Sequence, residues 1–390
     1  MAGGQLTLML VCGEPSGDQL GAQLMAALKM LTGDSVKIVG VGGEAMAAQG
    51  LKTLFPLDAT AVMGLREIVP KIPEILRRVR QAADFAAETR PDAVVLIDSP
   101  DFTHLIAKRL KRIAPRIVTI NYVAPQVWAT RAYRARKMAT YFDLVLALLP
   151  FEAKFFEGHG LKSVFVGHPA LERSKSIHGG KEFRAHHGIA PDAPLLAVLP
   201  GSRTNEIRFI FPEFAKALAL LAPRVPGLVT VIPTVPHVAA KVRAGVAGWP
   251  VPVHVVEGED EKFAAFDAAD AALAASGTVT TELALSRTPM VVAYKVGWLT
   301  AAIYKQLVRV KFATIVNLLL DRVAVPEFIQ ERCKSDLLAD AVAPLLLDKD
   351  AAARQPADLD EAMRRLGQGA DQPSLRAARA ILDFLGWKSA

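Results

Sequence analysis

The chain has 390 residues, 52% of them hydrophobic, which is long for one core and comfortable for two α/β domains. Its net charge of +7 is concentrated: residues 62–138 hold 15 Lys/Arg against 7 Asp/Glu, a basic face suited to phosphate on nucleic acid, lipid or sugar. No apolar run approaches the roughly 18–20 residues of a membrane-spanning helix, and two cysteines, Cys12 and Cys333, exclude a disulfide framework and suit a cytosolic chain.

Short apolar runs alternate with amphipathic stretches, the pattern of βαβ units. The first run, 6–12, lacks a basic lead-in and flows into a polar loop, so it reads as a buried strand rather than a signal peptide. Gly13-Glu14-Pro15-Ser16-Gly17-Asp18 follows. Ser16 with Gln19 fits a capping box, while Glu14 and Asp18 flank a turn at the sheet's mouth and suit binding. After a strand at 36–41, Gly40-Val41-Gly42-Gly43-Glu44-Ala45 formally fits a dinucleotide fingerprint, but that fingerprint belongs to the first βα turn, so an ordinary tight turn is expected.

Segment 63–80 places Leu65, Ile68, Val69, Ile72, Ile75 and Leu76 near helical spacing among Arg66, Lys71 and further arginines, with Pro70 and Pro73 interrupting. Core packing is one account. Docking on an anionic membrane is the other, at roughly 1 kcal/mol per basic residue. A strand at 93–97 then delivers Asp98-Ser99-Pro100-Asp101. A strand-end carboxylate can act as general base; Asp101 suits the cap of the next helix, which leaves Asp98 for the chemistry. Further strands are predicted at 117–122, 144–148 and 164–166, and helices at 18–31, 66–88 and 102–113.

Past a junction near 167–174 the alternation restarts, with strands at 195–199, 229–232, 253–256, 271–274 and 290–294 and helices at 206–222, 237–246, 278–286 and 298–310. Two strand ends suit phosphate. Pro200-Gly201-Ser202-Arg203-Thr204-Asn205-Glu206 offers small residues and a guanidinium. Ser276-Gly277-Thr278 opens a helix in which Glu282 could accept from ribose hydroxyls, simple capping by Ser276 or Thr278 being the plainer account. The eight histidines are scattered without ligand spacing, and no metal is expected. Each half therefore reads as a doubly wound parallel sheet.

Taken together these motifs resemble lipid-A-disaccharide synthase, a glycosyltransferase family of GT-B architecture. The resemblance runs in order to about residue 333, through Gly13–Asp18, Val62-Met63-Gly64, Asp98–Phe102, Tyr122-Val123-Ala124-Pro125-Gln126-Val127-Trp128, Pro150-Phe151-Glu152, Phe165-Val166-Gly167-His168-Pro169, Leu199–Arg203, Ala275–Thr278, the segment 289–295, Asn317-Leu318-Leu319 and Val325-Pro326-Glu327-Phe328. It departs from the family pattern at Pro15, Ser99, Thr103, Gln126 and Thr130, which bears on acyl-chain preference.

The resemblance implies two Rossmann-like domains facing a cleft: 1–170 for acceptor and membrane, 171–350 for the UDP-sugar, and a helical tail, 351–390, crossing back. It implies transfer of 2,3-diacylglucosamine from UDP to the 6-hydroxyl of 2,3-diacylglucosamine 1-phosphate, with inversion and without a cofactor or metal. Asp98 matches the base. Arg203, Glu206 and Asn317 match residues needed at the donor side, with Ser276, Gly277, Thr278 and Glu282 as the UDP turn, while Glu14, Ser16 and Gly17 face the acceptor. The family is peripheral on the cytoplasmic membrane face, with Leu65, Arg66, Ile68, Val69, Ile72, Ile75 and Leu76 as the implied contact. Another GT-B enzyme on UDP-sugars, such as a 2-epimerase, is the alternative. A nucleic-acid module would carry the basic face without the phosphate turns.

Overall fold

The computed structural model describes residues 5–57, 65–130, 133–297, 301 and 310–387. Two compact units result: Met1–Pro169 with Gly369–Ala390, and Ala170–Gln368. The helix predicted at 298–310 lies, but for two residues, outside the described ones.

In the N-terminal unit β1 (Leu6–Cys12), β2 (Val36–Val41), β3 (Ala93–Ile97), β4 (Val118–Tyr122), β5 (Leu144–Ala147) and β6 (Ser163–Phe165) form one parallel sheet in the order β2-β1-β3-β4-β5-β6. Central strands read as continuous Val/Ile/Leu runs because both faces are covered; every residue of β3 is buried. The helices are α1 (Pro15–Thr32), α2 (Glu44–Ala48), α3 (Leu65–Thr89), α4 (Pro100–Ile113), α5 (Val127–Thr130), α6 (Tyr133–Met138) and α7 (Pro150–Glu157). One face packs on α3 and α4 through Ala83, Ala86, Ile106 and Leu110. The other packs on α1 and on the last helix, Pro373–Phe384, whose Ala377, Ala378 and Ile381 join Leu24 and Leu28.

The prolines do not break α3, which runs unbroken for 25 residues. Its anchoring residues, Val79, Ala82, Ala83 and Ala86, are buried downstream of both. Ile72 and Leu76 stay exposed at 43% and 42%, and Ile75 is half-buried against the core. Core packing thus accounts for Ile75 and for the later turns from Val79 on, and not for Ile72 and Leu76; the side chains of Leu65, Arg66, Ile68 and Val69 lie outside the described residues. No helix among the described residues is long and apolar enough to cross a membrane.

The C-terminal unit pairs β7 (Leu195–Leu199), β8 (Val229–Thr234), β9 (Val253–Glu257), β10 (Ala271–Ala275), β11 (Met290–Tyr294) and β12 (Glu327–Ile329) in the order β12-β11-β10-β7-β8-β9, again all parallel. Here α8 (Gly180–His186), α9 (Thr204–Leu221), α10 (Pro236–Val246), α11 (Glu259–Ala268) and α12 (Val279–Leu285) follow, then helices Ile315–Leu320, Ser335–Leu347 and Lys349–Leu366. Phe211, Phe214 and Leu218 of α9 fill the core with Leu338 and Val342.

Candidate active site

A doubly wound sheet reverses its strand order at one place, and loops leaving the strands that flank it open a crevice for ligands. The reversal falls between β1 and β3 in one unit and between β7 and β10 in the other. Loops 13–18, 98–101, 200–206 and 276–282 leave those four strands. They are the loops whose chemistry stood out in the sequence.

β1 and β3 run in register to Cys12 and Ile97, so their following loops emerge side by side. Asp98 and Ser99 then adopt left-handed backbone, φ 52° and 45°. Two consecutive non-glycine residues there cost on the order of 1–3 kcal/mol each and persist only when the surroundings hold them. Thr103 supplies much of that hold: its hydroxyl donates to the Asp98 carbonyl at 2.7 Å, and the Asp98 amide donates to the Tyr122 carbonyl at 2.9 Å. The backbone thereby presents a half-buried Asp98 carboxylate, whose Oδ2 accepts from the Ser16 hydroxyl at 3.3 Å.

That bond replaces the expected capping role of Ser16. Pro15 takes the first helical position, Glu14 is the N-cap residue without a side-chain cap, and Ser16 lies one step inside the helix. Asp101 likewise is not the cap of α4, because left-handed Ser99 holds that place and Asp101 sits in the first turn. Gly17 is buried where a Cβ would come within 3.0 Å of Cys12 Cβ, so its smallness lets α1 approach the strand. Asp18 turns to the chain itself: its carboxylate accepts from the amides of Gly43, Ala45 and Met46 at 2.7–3.1 Å at the start of α2. The turn after β2 is thus held by a carboxylate of the chain itself.

In the other unit, Gly201 has φ +103° and a Cβ there would lie 2.3 Å from Glu206 Oε2. That oxygen accepts from the amides of Ser202 and Arg203 at 2.9 and 3.1 Å, while Oε1 meets the Arg203 guanidinium at 3.3 Å. Glu206 is therefore a positioning residue for the loop, and the Arg203 head remains 67% exposed. Ser276 does not cap its helix either; its hydroxyl donates to the Ala313 carbonyl at 3.1 Å. Thr278 holds the N-cap position without a side-chain capping bond, and Gly277 beside it has open space around its Cα. The buried Glu282 is met by Arg173 at 3.1 Å and Lys262 at 3.2 Å, so its charge is matched inside the unit.

Residues 8–381 match the lipid-A-disaccharide synthetase family. The chain belongs to that family. Among similar proteins are the lipid-A-disaccharide synthases of Rhodospirillum centenum, 48% identical over 97% of this chain and 95% of the relative, and of Paramagnetospirillum magneticum, 47% identical over 97% and 98%. Solved structures share the GT-B fold at low identity. A UDP complex of MnaA from S. aureus has TM-score 0.65 at 15% identity over 98% of this chain and 99% of that one. UDP-GlcNAc 2-epimerase of Neisseria meningitidis has TM-score 0.61 at 13% over 97% and 98%.

In this member of the synthetase family Asn317, expected at the donor, is buried with all four hydrogen-bonding positions filled. Its Nδ2 donates to the Val325 carbonyl at 2.8 Å and Glu327 Oε1 at 2.7 Å, and its Oδ1 accepts from Ala324 and Val325 amides at 2.8 and 2.9 Å. A direct substrate contact gives way to a positioning role. Glu327 was missed by sequence reasoning, although its motif was visible; it also accepts from Ala313, Thr314 and the Thr314 hydroxyl. The expectation of no metal overlooks two Asp-x-Asp triplets, 348–350 and 358–360. In the structure Asp348 caps the helix Lys349–Leu366, Asp358 pairs with Arg322 and Asp360 with Arg287. Among the described residues no three His, Cys, Asp or Glu side chains are grouped to hold an ion.

Glu152 of the Pro150-Phe151-Glu152 motif is a second missed residue of this family member. It is buried, accepts from Leu148 and Leu149 amides at 3.1 and 3.0 Å, and takes the Trp128 indole N–H at 2.9 Å. Burial pushes its carboxyl up to about 7, with the Trp128 bond and the two amides pulling the other way. The unfolded chain loses this proton near 4.5 while the folded one keeps it, so stability falls as pH rises from about 4.5 to 7 and is flat above. On the order of 3 kcal/mol is at stake. Denaturant melts between pH 5 and 8 are expected to show this slope, and Glu152→Gln to abolish it. The same variant sets an amide NH₂ against N–H donors and lowers stability at pH 5 by about 1–3 kcal/mol.

Proposed function

We propose that this protein moves 2,3-diacylglucosamine from UDP onto the 6-hydroxyl of 2,3-diacylglucosamine 1-phosphate, forming the β-1,6-linked disaccharide 1-phosphate and UDP. One observation carries the chemical reading: a carboxylate, Asp98, held out at the switch point of its sheet by a braced left-handed backbone. In this reading Asp98 takes the proton of the acceptor hydroxyl as its oxygen bonds the anomeric carbon. The bond from that carbon to the diphosphate breaks on the opposite face, which gives inversion. Arg203 and the 276–278 turn meet the charge growing on the departing diphosphate. Ser16 orients Asp98, and Glu206 holds the Arg203 loop. No metal takes part, and the protein works at the inner face of the cytoplasmic membrane, with exposed Ile72 and Leu76 of α3 among its contacts.

Incubation of UDP-2,3-diacylglucosamine in detergent with chelator, with and without lipid acceptor, tests this. UDP release that requires acceptor and ignores chelator is expected; conversion of the UDP-sugar without acceptor would overturn it in favour of an epimerase. For Arg203→Ala, loss of a charge-assisted bond should raise the donor KM or lower kcat/KM roughly 10- to 100-fold. Unchanged donor kinetics would remove Arg203 from the diphosphate.

A further inference from the structure

Beside the Asp98 loop the N-terminal unit holds a second feature that the transfer chemistry does not use. A pocket opens between α4 and α6, walled by Pro125 and Val127. Two stripes with the same i, i+3, i+7 spacing face into it: Asp101, His104 and Lys108 from α4, and Arg134, Lys137 and Tyr141 from α6 and just beyond. Three exposed cations therefore surround it against one carboxylate, and among the described residues none of the three has an acidic partner. Lys108 instead lies over the Tyr141 ring at 5.1 Å and Lys137 over Tyr133 at 5.4 Å.

The floor is more telling than the rim. His104 is 9% exposed, its Nδ1 sits 3.2 Å from the Tyr141 hydroxyl, and its buried Nε2 has no hydrogen-bond partner among the described residues. A buried polar atom left unmade costs about 1–3 kcal/mol, which a ligand oxygen would relieve. Burial first, then the nearby Lys108 and Arg134 charges, lower the imidazole to about 4, so the ring is neutral at pH 7 and offers one N–H. A neutral imidazole below, whose Nε2 can carry the N–H when Nδ1 accepts from the Tyr141 hydroxyl, cations above and apolar walls between fit a tetrahedral dianion carried on an apolar molecule. A bare phosphodiester surface would need only the rim.

We infer that this pocket seats the phosphate monoester of the acceptor lipid, so that Lys108, Arg134 and Lys137 hold the acceptor by its phosphate while Asp98, two residues before the pocket's first wall at Pro100, reaches its hydroxyl. This rests on the proposed acceptor, and it assigns the phosphate end of that acceptor to residues outside the motifs.

The test uses the full chain and the double variant Lys108→Ala/Lys137→Ala, whose side chains are exposed and leave the core intact. The acceptor KM is expected to rise roughly 10- to 100-fold with the donor KM unchanged. An acceptor lacking the phosphate should be a poor substrate for the parent and equally poor for both proteins. An unchanged acceptor KM overturns the assignment. If the acceptor KM is unchanged while the variant loses co-sedimentation with phosphatidylglycerol vesicles, the pocket serves membrane headgroups, and the assignment also falls. Should the parent transfer to no lipid acceptor, titration with glucosamine 1-phosphate still decides: saturable binding by the parent and none by the variant supports a monoester pocket, and equal binding refutes it.

Discussion

Asp98→Asn is expected to lower turnover roughly 10²- to 10⁴-fold, the range for loss of a general base, with the fold unchanged. The substitution is close to silent structurally because asparagine tolerates the left-handed backbone that Asp98 occupies at φ 52°. Its carbonyl oxygen can still accept from Ser16, and the Thr103 brace acts on the main chain, which the substitution leaves alone. What disappears is the capacity to take a proton. The substrate KM values should therefore move little while kcat collapses. Ser16→Ala, which removes only the orienting bond, should cost far less. An Asp98→Asn protein with near-normal turnover and unchanged melting would end the role of Asp98 as base.

Strands were legible because a parallel sheet buried on both faces demands nearly unbroken apolar runs, and β1, β3, β7 and β11 begin and end where those runs do. The crevice loops were legible for a related reason: polar and small residues directly after such runs mark the strand ends where ligands bind. Local signals misled where the chain set a helix start differently. Pro15 fixes the first turn of α1, which removes Ser16 from the cap, and the strained Ser99 displaces Asp101 from the start of α4. Prolines at 70 and 73 read as interruptions because propensity ignores the buried Ala82–Ala83–Ala86 face that carries α3 past them.

Roles that depend on partners far along the chain were not legible at all. Asp18 reaches the amides of Gly43 and Met46, Glu152 reaches the Trp128 indole, and His104 finds Tyr141 but has no partner for Nε2 among the described residues. None of these pairings has a fixed spacing. Family resemblance pointed to Glu206 and Asn317 as needed, yet need and contact are different things, and only coordinates separate a residue that touches substrate from one that holds a loop.

Asn317 makes that distinction measurable. Its amide ties the 324–325 backbone to Glu327, Glu327 gathers the amides of Ala313 and Thr314, and the Ala313 carbonyl takes the Ser276 hydroxyl. Asn317→Ala strands several of these buried groups at once and is expected to destabilise the C-terminal unit by about 3–5 kcal/mol. Because the web ends on Ser276, the donor KM should rise with the loss of stability, while the acceptor KM stays put. Asn317→Asp keeps the shape but sets a second carboxylate against Glu327 and the Val325 carbonyl, so it should be the worse variant at pH 7. A side chain that touched the sugar would behave otherwise: activity would fall with melting unchanged, and that result would return Asn317 from the scaffold to the substrate.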